Sequence, residues 1–250
     1  MPRAAAGPVE GDGAESVRDM FARIAPTYDL LNSLLSLGLD ERWRREAAAA
    51  AVAGGARRVL DVATGTGKLA FAVKRACPAC AVTGVDLAAP MLRLAREAAA
   101  RRGLEVSFRE ADGTALPFPS GSFDAVTIGY GLRNFADVDA GLREFRRVLG
   151  PGGRLVVLEF PPPPAGALGR AFRVYFERVL PLVGGVVSGS RSAYAYLPRT
   201  VKAFLDPEGL KDRMAAAGFT GVSYRLQTFG VSAVHVGEVP SGPHGGVGRA

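Results

Sequence analysis

The amino-acid sequence predicts an α/β fold, a mostly parallel sheet with helices on both faces. From residue 58 to residue 159, short apolar segments typical of strands alternate with helical segments. A glycine-rich turn joins the first of these strands to the helix that follows it. The chain has 250 residues, of which 48% are hydrophobic, enough for one large domain with a modest insertion.

The segments predicted as strands have a compact, apolar and often β-branched composition; they are residues 58–61, 81–86, 105–110, 123–128, 154–159, 222–226 and 231–237. The predicted helices are residues 16–28, 30–37, 40–53, 68–76, 89–102, 137–149 and 207–217. Gly103 is expected to end the helix over 89–102, because glycine adopts the left-handed conformation of many helix ends. The glycine-rich run over 149–155 predicts a sharp turn from helix to strand.

One domain over residues 16–239 is expected, between a flexible segment over 1–15 and a disordered tail over 240–250. The regular alternation stops after the fifth strand and resumes at residue 207. Residues 160–205 are therefore predicted to be a helical insertion into this domain rather than a second domain.

The composition favours a basic, cytoplasmic protein. The net charge of +7 suits an anionic membrane surface or nucleic acid, but the 8% aromatic content is low for a base-stacking surface. No apolar run approaches the roughly 18 residues of a membrane-spanning helix, and no signal peptide is apparent. We expect a protein of the cytoplasm that touches the membrane from the inside, and no nucleic-acid partner. The sequence leaves the oligomeric state open, a homodimer included.

The turn Asp61-Val-Ala-Thr-Gly-Thr-Gly67 is the most informative segment for function. Its glycines, Gly65 and Gly67, let backbone amides approach a nucleotide-like ligand. The carboxylate of Asp61 opposes a pyrophosphate and favours a cationic ligand, and S-adenosylmethionine carries a sulfonium beside its adenosine. Residues 65–70 also match the dinucleotide pattern G-x-G-x-x-[GA], so an NAD(P)-binding oxidoreductase and a non-catalytic binding module remain the alternatives from other classes.

Two further carboxylates follow predicted strands. Asp86 ends the second strand, where it can accept hydrogen bonds from both ribose hydroxyls of either nucleotide; the alternative is an N-cap of the next helix. Asp112 follows the third strand, where it can bind an adenine amino group beside an apolar slot that includes Gly113; the alternative is an ordinary turn residue.

The pair Cys77-Pro-Ala-Cys80 is predicted to be a loop with two thiols. A thioredoxin-type pair lies at a helix N-terminus, whereas this pair falls where a helix ends. The sequence has no further cysteines to complete a zinc site, and no metal is expected.

Seven short motifs occur along the chain in an order that is typical of one protein family. They are Phe21-Ala-Arg-Ile-Ala-Pro-Thr-Tyr-Asp-Leu-Leu-Asn32, the turn over 61–67, Ala115-Leu-Pro-Phe-Pro119, Gly131-Leu-Arg-Asn134, Leu158-Glu-Phe160, Tyr194-Ala-Tyr-Leu197 and Ala217-Gly-Phe219. From about Met20 to Val236, the chain closely resembles the ubiquinone/menaquinone biosynthesis C-methyltransferase family. The resemblance implies a class I S-adenosylmethionine-dependent methyltransferase fold, Rossmann-like, with a seven-stranded sheet, N-terminal helices and a helical insertion after strand five.

The glycine-rich turn and the resemblance together imply a set of cofactor-binding residues: Asp61, Gly65, Thr66, Gly67, Asp86, Leu87, Asp112, Gly113 and Gly129. The family commonly has Ser where this chain has Gly129, so a hydroxyl contact is expected to be missing there, and a contact through the backbone is the alternative. The proline run over 161–164 replaces the family's usual polar residues and is expected to reshape the entrance to the substrate pocket.

Members of this family methylate a ring carbon of a polyprenylated quinol, which becomes nucleophilic when a ring hydroxyl loses its proton. The resemblance favours demethylmenaquinol as acceptor, with a methoxy-polyprenyl-benzoquinol or another small aromatic as alternatives. We expect Arg133 to stabilise the phenolate, Asn134 to orient the same oxygen, and Tyr28 to close the pocket. A surface ion pair is the alternative for Arg133. The only histidines are His235 and His244, so no general base is apparent and water is expected to take the proton.

The insertion over 160–205 carries six Arg and Lys residues against one acid, together with many apolar side chains. Such a mixture suits an anionic lipid surface and a prenyl tail, and it suits a helical cap over the core equally well.

Overall fold

The computed structural model describes residues 38–163 and 198–241, together with residues 36, 166 and 169. The helices predicted over 16–28 and 30–37, Tyr28, most of the predicted insertion and the tail lie outside these residues.

The centre of the fold is a seven-stranded sheet with the strand order β3-β2-β1-β4-β5-β7-β6. Its strands are β1 (Arg58–Val62), β2 (Ala81–Asp86), β3 (Ser107–Glu110), β4 (Phe123–Gly129), β5 (Leu149–Glu159), β6 (Thr220–Gln227) and β7 (Ser232–Glu238). The first five strands are parallel, and β7 runs antiparallel to both of its neighbours. The prediction of a seven-stranded, mostly parallel α/β sheet is confirmed.

Helices cover both faces of the sheet: α1 (Leu39–Val52), α2 (Lys68–Ala76), α3 (Ala89–Arg102), α4 (Val138–Val148) and α5 (Pro207–Ala216). On β5, Val156 and Leu158 pack into the apolar cluster that contains the buried sides of α1 and α2. Leu155 and Val157 pack into the cluster that contains α4 and α5. Because both faces are covered, the central strands β1 and β4 are buried along almost their whole length rather than at alternate residues.

Strand register aligns the carboxyl ends of the central strands at one edge. Asp61 of β1 lies opposite Thr127 of β4, and Gly129 of β4 lies opposite Leu158 of β5. From β1 the chain proceeds outward to β2, whereas from β4 it proceeds to β5 on the other side. Ligands of such sheets bind where the order reverses, outside the carboxyl ends of the strands.

The expected sharp turn over 149–155 is wrong, because β5 starts at Leu149, directly after α4. Leu149 has an extended backbone (φ −78°, ψ 137°) and pairs with Phe123, and the register shifts before the next pair, Ala125 with Arg154. Burial of the Leu149 side chain holds this segment against the sheet, and the glycines absorb the irregularity. Elsewhere α2, β2 and α3 have the predicted bounds, and Gly103 ends α3 with φ 60°.

Cys77 and Cys80 form a disulfide with a Cα–Cα distance of 5.4 Å, so the prediction of two thiols is wrong. The argument from the helix end concerns the acidity of a thiol, whereas pairing depends on two Cα atoms within about 7 Å and on side chains that point toward each other. The bridge joins the end of α2 to the residue before β2, at the amino edge of the sheet.

Reduction of this disulfide is expected to lower the thermal midpoint only slightly. A bridge that closes so short a loop stabilises a fold by about 2 kcal/mol at most, or roughly 4–8 °C for a chain of this size. Calorimetry with and without reductant measures the shift. The Cys77→Ser/Cys80→Ser double variant should melt at the midpoint of the reduced protein and show no response to reductant; a response in that variant would contradict the assignment.

Candidate functional site

The glycine-rich turn between β1 and α2 adopts left-handed backbone conformations at three positions. Ala63, Gly65 and Gly67 have φ values of 50°, 55° and 86°. A Cβ atom at Gly67 would lie 2.7 Å from the ring of Phe71, so that position requires glycine. The strained Ala63 is a feature common at ligand-binding loops. The backbone of the turn therefore has a constrained conformation at the carboxyl edge of the sheet.

Asp61 lies beneath this turn and is fully buried. Its carboxylate accepts hydrogen bonds from the hydroxyl groups of Thr64, at 2.6 Å, and Thr127, at 2.7 Å. Burial raises the pKa of Asp61 to about 6. The two hydroxyl hydrogen bonds, a hydrogen bond from the backbone N–H of Ala70 and the charge of Arg44 act in the opposite direction and lower the pKa, but burial outweighs them. The carboxylate of Asp61 is thus ionised at neutral pH, and it places a buried negative charge beneath the glycine-rich turn.

Asp86 connects the end of β2 to the glycine-rich turn. One of its carboxylate oxygens accepts from the backbone N–H of Gly65 and the other from that of Ala88, at 2.8 and 2.9 Å. Ala88 is the N-cap of α3 and has no side-chain cap, so Asp86 does not occupy the capping position. The next residue, Leu87, is 45% exposed at the same edge. An acceptor and an apolar side chain thus stand beside the turn.

Asp112 and Gly113 follow β3. Asp112 is exposed, and its Oδ1 accepts hydrogen bonds from the backbone N–H and the hydroxyl of Thr114, both at 2.8 Å. The local turn role of Asp112 is therefore present in the structure. A Cβ atom at Gly113 would lie 2.5 Å from the ring of Phe135 and 2.9 Å from Val62, so close packing leaves no room for a side chain.

Gly129 ends β4, and Thr66, in the glycine-rich turn, is 5% exposed. A Cβ atom at Gly129 would lie 3.0 Å from Cδ2 of Leu69, which is closer than most real contacts. The side chain of Leu69 therefore lies close to the place that a side chain at position 129 would take.

Arg133 forms a buried ion pair with Glu159, the last residue of β5. The Arg133 side chain is 4% exposed, and its Nη1 donates to Oε1 of Glu159 at 2.7 Å and to the carbonyl of Tyr130. The same Glu159 oxygen accepts from the backbone N–H of Phe160 at 2.9 Å. Arg133 is therefore buried against a carboxylate, unlike a surface ion pair. Asn134 lies beside it in a 3-10 turn over Leu132–Asn134.

Tyr130 and Phe160 form a stacked aromatic pair at the ends of β4 and β5. Their ring centroids are 4.3 Å apart with 19° between the planes, and Trp43 meets Phe160 edge-on at 6.1 Å. Tyr130 has φ 59°, and the guanidinium of Arg44 lies 5.3 Å from its ring centroid. These rings form an aromatic group next to the Arg133–Glu159 pair.

Sequence reasoning missed several side chains that organise this edge. Thr127 was recognisable only as a hydroxyl inside an apolar strand, opposite Asp61 in a parallel register. Glu159 carried a clearer signal, since a charged residue at the carboxyl end of a buried strand requires a partner. The structure places the glycine-rich turn, Asp86, Gly129 and Arg133 at one edge, and Gly113 reaches it through Val62. Within the described residues, no group of three His, Cys, Asp or Glu side chains is arranged for a metal ion.

Replacing Asp61 with Asn should leave the fold at least as stable at pH 7.5. Because the folded pKa of Asp61 is raised from 3.8 to about 6, ionisation in the folded state costs stability as the pH rises through this window. Asp61→Asn removes that cost, and we expect a gain of about 1–3 kcal/mol at pH 7.5 that disappears below pH 4.

Asp124→Asn is the matched control, because Arg58 lowers the pKa of Asp124 and its ionised form is favoured in the fold. That variant should lose stability at neutral pH. Denaturant unfolding at several pH values compares the two; a loss for Asp61→Asn at pH 7.5 would contradict the expectation.

Proteins of known structure confirm the fold. The chain aligns with the [4+2]-cyclase SpnF at a TM-score of 0.67 and 22% identity, covering 96% of this chain and all of that one. It also aligns with a SAM-dependent methyltransferase from Thermotoga maritima, a possible histamine N-methyltransferase, at a TM-score of 0.60 and 22% identity, covering 88% and 98% of the two chains. At these identities the similarity shows a class I methyltransferase fold.

Curated relatives are much closer in sequence. A demethylmenaquinone methyltransferase of Thermus thermophilus is 61% identical over 88% of this chain and all of the relative. A ubiquinone/menaquinone biosynthesis C-methyltransferase of Geobacter sulfurreducens is 45% identical over 90% of this chain and 88% of the relative. The family model described as the ubiE/COQ5 methyltransferase family matches residues 10–239, and the chain belongs to this family of S-adenosylmethionine-dependent methyltransferases.

Proposed function

We propose that the chain transfers the methyl group of S-adenosylmethionine to a ring carbon of demethylmenaquinol. The observation that carries this proposal is the 61% identity, over 88% of this chain and the whole length of the relative, to a protein named as a demethylmenaquinone methyltransferase. A second relative with that name, from Deinococcus radiodurans, is 53% identical over 91% of this chain. A methoxy-polyprenyl-benzoquinol is the second candidate acceptor, supported by the 45% identical relative whose name covers both quinones.

The glycine-rich turn is the proposed seat of the cofactor. Gly65, Thr66 and Gly67 would face its amino-acid part, and Asp86 would exchange the N–H of Gly65 for ribose hydroxyls. The ionised carboxylate of Asp61 supports this orientation, because its charge favours a sulfonium over a pyrophosphate. A buried charge that costs stability is commonly retained for function. Asp112, Leu87 and Gly113 would bound the adenine.

The reaction needs no covalent enzyme intermediate. A ring hydroxyl of the acceptor loses its proton, and the neighbouring ring carbon then attacks the methyl carbon. The carbon–sulfur bond breaks with its electron pair left on sulfur, which yields S-adenosylhomocysteine. The methylated ring carbon finally releases its proton to water. We propose that the protein lowers the barrier by holding both reactants in line and by stabilising the phenolate.

Arg133 is the proposed partner of that phenolate, with Asn134 orienting the same oxygen and Tyr28 closing the pocket. Glu159 neutralises part of the guanidinium charge, and it also fixes the direction of the guanidinium from a buried position. Such a pair keeps Arg133 oriented before the acceptor arrives. The Tyr130–Phe160 stack next to it is the proposed wall for the quinol ring.

We propose one catalytic domain over 16–239, in which the segment over 160–205 binds the prenyl tail. We also propose that the protein acts in the cytoplasm, at the inner face of the membrane. The net charge of +7 and the lipophilic acceptor support an anionic membrane surface as partner. Within residues 38–163 and 198–241, no helix has both the length and the apolar content needed to cross a bilayer.

A labelled-methyl assay tests the acceptor. The full chain, methyl-labelled S-adenosylmethionine and each quinol in detergent micelles should give transfer to demethylmenaquinol with a kcat/KM at least about tenfold above that for the benzoquinol. Equal rates would favour a dual-specificity enzyme. Tight uptake of NADH with no transfer to either quinol would contradict the proposal.

The charge of Arg133 can be tested through its partner. Glu159→Gln leaves the guanidinium without its neutralising carboxylate, so the acceptor hydroxyl should ionise more readily and the pH profile of methyl transfer should shift to lower pH. Arg133→Gln/Glu159→Gln removes the pair without leaving a buried charge, and kcat should fall by about 10²–10³-fold.

Glu238→Gln is a matched control, since Glu238 pairs with Arg154 near the start of the parallel part of β5. Its pH profile should remain that of the wild-type protein. An unchanged profile in Glu159→Gln, with folding intact, would remove Arg133 from the chemistry.

A further inference from the structure

A second buried charge cluster lies between α1 and the glycine-rich turn. Asp40, in the first turn of α1, is 2% exposed and accepts hydrogen bonds from Arg44 and from the hydroxyl of Ser36, the latter at 3.0 Å. Its Oδ2 lies 3.7 Å from Nζ of Lys68. One acid therefore meets two cations, and we call Asp40, Arg44 and Lys68 the α1 cluster.

The α1 cluster borders the proposed cofactor site. Lys68 is the first residue of α2 and directly follows Gly67 of the turn. The positive charge of Arg44 acts on Asp61, because it is one of the influences that lower the pKa of that carboxyl. Arg44 therefore affects a charge held at the turn, and Lys68 adjoins the turn in the chain.

Asp40 is ionised in the folded protein. Burial disfavours its charge, but the charges and hydrogen bonds of its partners, Arg44 first and then Lys68 and Ser36, hold its pKa below the ordinary value. Removing the Asp40 charge would make the net charge beside the turn more positive by one unit. That added positive charge would oppose any cation bound there.

We propose that Asp40 is a positioning residue that sets the preference of the cofactor site for charged S-adenosylmethionine over S-adenosylhomocysteine. It does so by lowering the net positive charge of the α1 cluster at the start of α2. The inference rests on the proposed cofactor site. It assigns to α1 a role in discriminating substrate from product, in addition to its packing against the sheet.

The two ligands are well suited to separate charge from shape. They share adenosine and the amino-acid group, and they differ by one methyl group and the positive charge on sulfur. A distorted pocket should weaken both ligands to a similar degree. A nearby charge should weaken mainly the sulfonium compound, by about tenfold for one unit charge at around 10 Å in a partly screened site.

Calorimetric titration of the full chain with each ligand tests the inference. Asp40→Asn should weaken S-adenosylmethionine by about tenfold and S-adenosylhomocysteine by less than about twofold. Lys68→Met should shift the ratio of the two dissociation constants in the opposite direction. The Asp40→Asn/Lys68→Met double variant restores the net charge of the α1 cluster and should return the ratio to the wild-type value.

Glu46→Gln is the matched control, because it also removes one negative charge from α1. Glu46 accepts a hydrogen bond from Gln227 at 2.7 Å and does not belong to the α1 cluster. Its ratio should equal that of the wild-type protein. Lys68→Met keeps the Asp40–Arg44 pair, so the inference stays testable even if Asp40→Asn does not fold.

An equal loss of affinity for both ligands would overturn the inference while leaving the proposed function intact. So would a ratio of dissociation constants that does not change with the charge of the α1 cluster. A wild-type chain that binds neither ligand would instead overturn the proposed cofactor site itself.

Discussion

The hydrogen bonds of Asp61 hold the functional edge together. This carboxylate is bound by a hydroxyl from the adjacent strand, Thr127, and by one from the turn above it, Thr64. The interaction therefore joins β1, β4 and the glycine-rich turn through one buried group. Water is excluded from that group, so its charge remains strong at short range. The Asp61 carboxylate thus determines both the conformation of the turn and the negative electrostatic potential next to it.

Two further pairs of opposite charges at this edge are buried. Arg133 is matched by Glu159, and Arg44 by Asp40, with each guanidinium also close to a ring of the Tyr130–Phe160 stack. Pairing lets a protein keep several cations out of water without an uncompensated charge. It also fixes their directions. The result is a site whose charged groups are held in place by the fold before any ligand binds.

Within the described residues, the sequence predicted the sheet and its helices well, because strand and helix periodicities differ and because glycines and capping residues mark the boundaries of elements such as α3. It also placed Asp86 and Arg133 at the ends of strands. It did not predict the Asp40–Lys68 contact or the partner of Arg133, since both depend on which helix or strand lies next to another in space. The strand over 149–155 was missed because glycine-rich segments usually form turns, and here burial of Leu149 prevails.

The close approach of Leu69 to position 129 has a consequence for how this chain can diverge. A serine at that position would need Leu69 to shift by a few tenths of an ångström, so its benefit depends on the residue already present on α2. A smaller residue at 69 makes the hydroxyl easy to accommodate, and the reverse order of change passes through a crowded intermediate. The two positions should therefore be epistatic, and lineages of this enzyme should exchange them as a pair.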